Sequence, residues 1–126
     1  MGKAQRTKGA VGEREWIKLL AARGIQTKRN LDQTRDGGGD VKAPPFLFEV
    51  KRRKGLAVRA FLEQARTAVN DGVRGTSAPP LTPVVAMRED GNTNWMVLLD
   101  ADDFLNLVAS TRQMGWTMGG SLNDAA

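Results

Sequence analysis

The sequence predicts an α/β domain in which a mixed β-sheet is flanked by α-helices. Three stretches carry apolar residues at helical spacing, and short apolar runs bounded by glycine, proline and asparagine lie between them. Along the chain the order is helix, strands, helix, strand pair and helix. The 126 residues suffice to bury one core, and the chain has no internal repeat or boundary. We therefore predict a single domain over residues 1–126.

The charge composition favours a polyanionic partner. Lysine and arginine number 19 against 14 acidic residues, which gives a formal net charge of +5 and an isoelectric point of about 10.1. This balance favours nucleic acid first and an anionic membrane second. The chain lacks a basic amphipathic helix with a strong apolar face, and no apolar run approaches the roughly 18 residues of a spanning helix. We therefore expect a nucleic-acid partner and no membrane partner.

Missing residue types restrict the chemistry. The chain has no cysteine and no histidine. Thiolate and imidazole zinc sites, serine–histidine triads and nucleases with a histidine base are therefore excluded. Acid–base or metal chemistry in this chain is expected to use carboxylates, lysine and water.

The chain opens with a basic segment. Residues 1–8 contain Lys3, Arg6 and Lys8 and almost nothing apolar. We interpret them as a flexible arm that contacts nucleic acid, with a plain disordered tail as an equal alternative. A helix is predicted from about residue 10 to residue 23.

One carboxylate lies on the inward stripe of this first helix. Glu13, Ile17 and Leu20 are spaced i, i+4, i+7, so Glu13 shares the apolar face and needs a partner there. Glu15 is two residues further on and is expected to point elsewhere, near Lys18. The alternative for Glu13 is a first-turn glutamate that complements the helix dipole.

The central stretch runs from Gly37 to Lys54. A short strand over residues 25–30 and a polar loop precede it, and its glycines allow a sharp turn and a close approach to DNA before Asp40. A clipped hairpin around Pro44 and Pro45 then returns the chain beside Asp40.

The returning strand, residues 46–51, carries the chemistry. Its side chains alternate between faces, so Glu49 and Lys51 share one face while Phe48 and Val50 enter the core. With Asp40 beside them, two carboxylates and an ammonium meet at one place. Oxygen ligands of this kind suit magnesium.

A basic run follows the strand directly. Arg52, Arg53 and Lys54 extend from Lys51, and arginine can hold a phosphate through two parallel hydrogen bonds. We interpret the run as a DNA phosphate contact, and the alternative is a solubilising strand end.

The second half completes the α/β order. A brief strand is predicted at 56–58, a helix to about residue 69, strands at 82–87 and 95–99 around an Asp90-Gly91 turn, and a helix at 102–110 capped by Asp100. Phe104, Leu105 and Val108 are expected to face inward. Residues 111–126 form a C-terminal tail without a clear period, in which Trp116 and Met118 cover an apolar patch or a partner.

The spacing of the acidic and basic residues resembles a known nuclease pattern. An aspartate followed on the next strand by Glu49-x-Lys51 is similar to the PD-(D/E)XK nuclease superfamily. A Lys8-Gly9 pair shortly before Glu13-Arg14-Glu15 also resembles archaeal-type Holliday junction resolvases and their phage relatives. The resemblance covers residues 6 to about 66 and implies a restriction-endonuclease-like sheet.

The resemblance assigns roles to particular residues. It implies that Asp40, Glu49 and the carbonyl of Val50 hold Mg²⁺, for which Mn²⁺ substitutes, and that Glu13 completes the shell directly or through water. Lys51 would position or deprotonate the attacking water. Further candidates by the same resemblance are a catalytic Gln64 and a phosphate contact at Arg29, each weighed against an ordinary surface residue. The chain lacks the serine that relatives often carry before Asp40, and its gap to Glu49 is short.

The function implied is a magnesium-dependent endonuclease that resolves four-way DNA junctions by paired cuts in recombination and repair. It would act as a homodimer in the cytoplasm of a bacterial or phage-infected cell, and a phage or prophage source fits so compact a chain. Trp95, Met114 and Trp116 are large apolar residues late in the chain, and they indicate a partner surface. The alternatives are a related nuclease that cuts other branched, nicked or duplex DNA, and a non-catalytic DNA-binding module.

Overall fold

The computed structural model describes residues 3–29 and 40–113, with side chains from 7–28 and 41–112. It confirms the α/β class, with a mixed sheet flanked by helices, and it is consistent with a restriction-endonuclease-like arrangement. The elements are α1 (Lys3–Ala21), β1 (Lys28–Arg29), β2 (Asp40–Ala43), β3 (Phe46–Arg53), α2 (Val58–Val73), β4 (Thr82–Glu89), β5 (Met96–Leu98) and α3 (Ala101–Gln113).

The strands form one sheet in chain order, β1-β2-β3-β4-β5. The β3 and β4 strands pair in parallel, and the other neighbours are antiparallel. Helix α2 makes the crossover that a parallel pair requires. Strand β3 is therefore central, and it carries the Glu49-x-Lys51 motif of the sequence.

The two faces of the sheet are covered by different helices. On one face, Trp16 and Leu20 of α1 pack with Phe48 and Val50. On the other face, α2 packs against Leu47 of β3 and against the alternate residues of β4, through Phe61, Ala65, Ala68 and Val69. Because side chains alternate along a strand, each residue of β3 belongs to either the α1 face or the α2 face.

Helix α1 approaches the sheet closely at Gly12. A Cβ atom built at Gly12 would lie 3.1 Å from Cβ of Arg52 and 3.8 Å from Cγ1 of Val50. A hydrogen is therefore the side chain that fits without displacement at this crossing. The contact also fixes which strand residues α1 covers, namely those on the Val50 side.

The N-terminal prediction needs correction. Helix α1 begins at Lys3 rather than near residue 10, so the segment predicted as a flexible arm is helical from residue 3 onward. Lys8 forms an ion pair with Asp90 at the far end of β4. This ion pair connects the first turns of α1, which have few apolar residues, to the end of β4. Periodicity along the chain cannot predict such a long-range contact.

Helix α2 also differs from the sequence prediction. It begins at Val58, although the sequence predicts a brief strand at 56–58, and it continues to Val73. The N–H group of Phe61 donates to the carbonyl of Ala57, which closes the first turn. The basic run therefore ends just before a helix rather than a further strand.

Asp100 caps α3 as predicted. Its Oδ1 atom accepts a hydrogen bond from the backbone N–H of Asp102 at 3.2 Å. That bond, helped by an ion pair with Arg66, holds the pKa of the Asp100 carboxyl below its usual value. Asp102 and Asp103 lie in the first turn of α3, where acidic charge complements the helix dipole.

The prediction that Phe104 and Leu105 of α3 face inward is wrong. Phe104 is 45% exposed and Leu105 is 59% exposed. Helical spacing identifies an apolar stripe but does not say what covers it. Val108 is half-buried.

Trp95, which the sequence predicts at a partner surface, is half-buried and packs against the core. Its ring centroid lies 5.4 Å from that of Trp16, and it contacts the core on the α1 face. Of the tail predicted at 111–126, residues 111–113 belong to α3. Residues 114–126, with Met114 and Trp116, lie outside the described residues. No helix among the described residues has the length and apolar character needed to cross a membrane.

Candidate active site

A tight hairpin sets the register of the candidate site. Residues 44 and 45 form the turn between β2 and β3, so Ala43 pairs with Phe46. Counting back along both strands places Asp40 directly opposite Glu49. This is the juxtaposition that the sequence predicts, although the side chain of Asp40 lies outside the described set.

Glu49 and Lys51 form a buried ion pair on the α2 face. Glu49 is 7% exposed and Lys51 is 3% exposed. The Nζ atom of Lys51 lies 3.4 Å from Oε1 of Glu49. Because an isolated buried charge is costly, each group offsets much of the burial cost of the other. The shared face is as predicted, but its burial beneath α2 is not.

Phe61 provides a second neighbour for the lysine. The Lys51 ammonium lies 5.3 Å from the centre of the Phe61 ring, and the guanidinium carbon of Arg53 lies 5.9 Å from the same ring. Both distances suit cation–π attraction. Sequence reasoning assigns Phe61 to the core alone, and no motif distinguishes it from any other apolar helix residue.

Gln64 is exposed on α2, one turn beyond Phe61. The contacts described for Lys51 are with Glu49 and Phe61. A role for Gln64 beside Lys51 therefore remains a prediction from the resemblance.

Glu13 is buried at 5% exposure, as the inward stripe predicts. It lies on α1, whose neighbouring residue Gly12 approaches Val50 and Arg52. Those strand residues face away from Glu49 and Lys51. The structure thus places Glu13 on a helix across the sheet from the ion pair, and its part in a metal shell remains a prediction.

Glu15 supports a buried arginine that sequence reasoning missed. Its Oε2 atom lies 3.2 Å from Nε of Arg88, which is 7% exposed, and its Oε1 atom lies 3.4 Å from Arg52. Glu15 therefore contacts Arg88 and Arg52 rather than Lys18, near which the sequence predicts it. Arg88 also donates to the carbonyl of Asn92 at 2.6 Å, which ties the β4–β5 turn to α1.

Asp90 completes this network of charges. Lys8 donates a hydrogen bond to it, and Nε of Arg52 lies 3.6 Å from its Oδ1 atom. The hydrogen bond from Lys8 is the main reason why the pKa of the Asp90 carboxyl is lowered. Lys8 and Arg52, both predicted as DNA contacts, are thus held by carboxylates of the chain itself.

The remaining predicted contacts are spread over the strand ends. Lys54 is exposed just beyond β3. Arg29 pairs in register with Val41 on β1, and its side chain lies outside the described set. Val41 belongs to the core on the α1 face.

Within the described side chains, no group of three or more acidic residues could hold a metal ion. The side chain of Glu49 is described and that of Asp40 is not, so the backbone register alone shows that these two residues are paired. Comparison of the chain with protein-family models, with curated proteins and with solved structures finds no match.

Proposed function

We propose that this protein is a metal-dependent endonuclease that hydrolyses phosphodiesters of four-way DNA junctions beside Glu49 and Lys51. The observation that carries the proposal is the buried pair of these side chains at the register position opposite Asp40. Directly opposite residues of an antiparallel pair have Cβ atoms roughly 5 Å apart on one face. Two carboxylates and an ammonium at that separation are suited to phosphoryl chemistry.

The donor chemistry of this position fits Mg²⁺ or Mn²⁺. Asp40, Glu49 and the carbonyl of Val50 offer the hard oxygen ligands that such cations prefer. When bound, the cation would polarise the scissile phosphate and lower the pKa of a coordinated water. Glu13 lies on α1, which packs on the opposite face of the sheet, so its predicted part in the metal shell, directly or through water, stays a prediction and this proposal does not depend on it.

Lys51 supplies the positive charge in this proposal. Its ammonium contacts Glu49 on one side and the Phe61 ring on another, so few rotamers remain open to it. A fixed ammonium can orient the attacking water and offset the negative charge that builds on the phosphate in the transition state. Its enclosed position also strengthens this electrostatic effect relative to a solvent-exposed lysine.

The test is incubation of the purified protein with a labelled four-way junction and a sequence-matched linear duplex, with and without Mg²⁺. We expect paired nicks in the junction that require the cation. Equal cutting of both substrates would favour a general nuclease of the same chemistry. Binding of DNA without cutting under any divalent cation would instead indicate the non-catalytic module.

A second part of the proposal is a twofold homodimer. Two symmetric cuts need two sites, and a C2 dimer supplies them in the matching symmetry. Strand β5 forms one edge of the sheet, with Met96 42% exposed and Val97 54% exposed, and Phe104 and Leu105 of α3 are exposed nearby in sequence. Among the described residues this edge is unpaired, and an unpaired strand edge with apolar neighbours favours pairing with a second copy.

We therefore expect sedimentation at micromolar concentration to give a dimer, and the Val97→Lys and Leu105→Lys variants to shift it toward monomer. An exposed alanine of the same helix, Ala109, provides the matched control as Ala109→Lys. A wild-type protein that sediments as a monomer while it cuts junctions in pairs would contradict this arrangement.

A further inference from the structure

Two lysines face each other on the edge strand β1 and its neighbour β2. Lys28 of β1 and Lys42 of β2 are directly paired in the antiparallel register. Directly opposite residues have Cβ atoms roughly 5 Å apart, and like charges at such positions destabilise the strand pair. A bound anion removes that repulsion, so the placement itself points to a ligand.

The lysine pair lies on the same face as the candidate active site. Lys42 is opposite Leu47, and Leu47 packs against Ala68 and Val69 of α2. Lys42 is two residues along β2 from Asp40, which is about 7 Å at the rise of a β-strand. The pair therefore flanks the Asp40–Glu49 register position, with Lys51 on the other side of it.

Neither lysine has a carboxylate partner among the described side chains, in contrast to Lys8 and Arg52. Lys28 is exposed and Lys42 is half-buried. Helix α2 packs its apolar residues on β3 and β4. Among the described side chains, these two ammonium groups therefore have no internal ion pair and are open to an external anion.

We propose that Lys28 and Lys42 bind neighbouring phosphates of a nucleic-acid strand that crosses β1 and β2 on its way to Glu49. Phosphate is the anion that we assign, because a nucleic-acid strand carries one at every nucleotide and two adjacent lysines can each contact one of them. The direction of the strand rests on the proposed function, whereas the phosphate contact itself does not. DNA is the partner we assign, since the basic chain favours a polyanion.

The test uses full-length protein, EDTA to prevent cutting, and a fluorescein-labelled linear duplex followed by anisotropy. Lys28→Ala and Lys42→Ala are each expected to weaken binding roughly fivefold and to lower the slope of log affinity against log salt by about one. Lys18→Ala is the matched control, because Lys18 is exposed on α1 on the opposite side of the sheet. Thermal melting of each variant checks that the strand pair still forms.

The inference would be overturned if the Lys28→Ala/Lys42→Ala double variant binds DNA as tightly as Lys18→Ala does. It would also be overturned if the double variant loses binding to anionic phospholipid vesicles while its DNA binding is unchanged. Cleavage by Glu49 variants separates this inference from the proposed function. If binding falls while no variant and no wild-type protein cuts DNA, the phosphate contact stands and the nuclease does not. If Glu49 variants lose cutting while both lysine variants bind DNA normally, the nuclease proposal stands and the phosphate contact of the lysines does not.

Discussion

Replacement of Glu49 by glutamine is expected to reduce magnesium-dependent junction cleavage by more than about 100-fold, the upper range for loss of an outer-shell group at a metal site. Glutamine keeps the volume of the side chain but offers one neutral carbonyl oxygen where a carboxylate offers two charged ones. Binding of DNA in EDTA is expected to be unchanged or slightly tighter, because a negative charge has left a basic face. Single-turnover cleavage and anisotropy measure the two quantities separately.

The control for Glu49 is Glu89→Gln, an exposed glutamate at the end of β4 that should cut normally. Because Glu49 also neutralises buried Lys51, its loss is expected to lower the melting temperature. Glu49→Asp keeps the charge and shortens the side chain, so it should stay folded and still cut slowly. Near wild-type cutting by a folded Glu49→Gln protein would remove Glu49 from the site.

Lys51→Met is expected to lower the single-turnover rate by about 10² to 10⁴, the range attributed to a positioned proton-transfer group. Methionine fills the same volume against Phe61 without a charge, so the change removes the ammonium and leaves the packing. Affinity for DNA should fall much less, because Lys51 is 3% exposed and reaches one phosphate at most. A loss of rate with nearly constant dissociation constant is the expected signature.

The matched comparison for Lys51 is Lys54→Met at the exposed end of the same basic run. Lys54→Met should weaken binding and leave the rate at saturating protein unchanged. Arg52, a predicted phosphate contact in the same basic run, is unsuitable for this comparison because it pairs with Glu15 and Asp90 inside the fold. Equal effects of the Lys51 and Lys54 changes on both quantities would contradict a catalytic role for Lys51.

The part of the site that follows from local sequence is the part that strand geometry controls. Alternation along β3 separates Glu49 and Lys51 from Val50, and a two-residue turn sets the pairing of Asp40 with Glu49. Both results need only period two and a short loop. The hairpin and the face of the ion pair were therefore predictable without knowledge of the remaining fold.

What the sequence could not predict depends on which elements meet in space. Burial of the ion pair requires α2 to lie across it, and the position of Glu15 depends on Arg88, which is 73 residues away in sequence. A Glu15→Gln change would leave the buried Arg88 with a weaker partner. The prediction that Phe104 faces inward is wrong for the same reason, because helical periodicity does not identify the element that would cover the apolar stripe.

The ion pairs within the chain, including those around Asp90, also affect how much of the net charge of +5 can act on DNA. At least six basic side chains lie within 4 Å of a carboxylate of the same chain, and these are Lys8, Lys51, Arg52, Arg66, Arg74 and Arg88. A cation already neutralised by the fold displaces few counterions when a phosphate approaches. The electrostatic footprint on DNA should therefore be narrower than the basic composition suggests, and be concentrated on cations such as Lys28, Lys42 and Lys54, for which the described side chains provide no carboxylate.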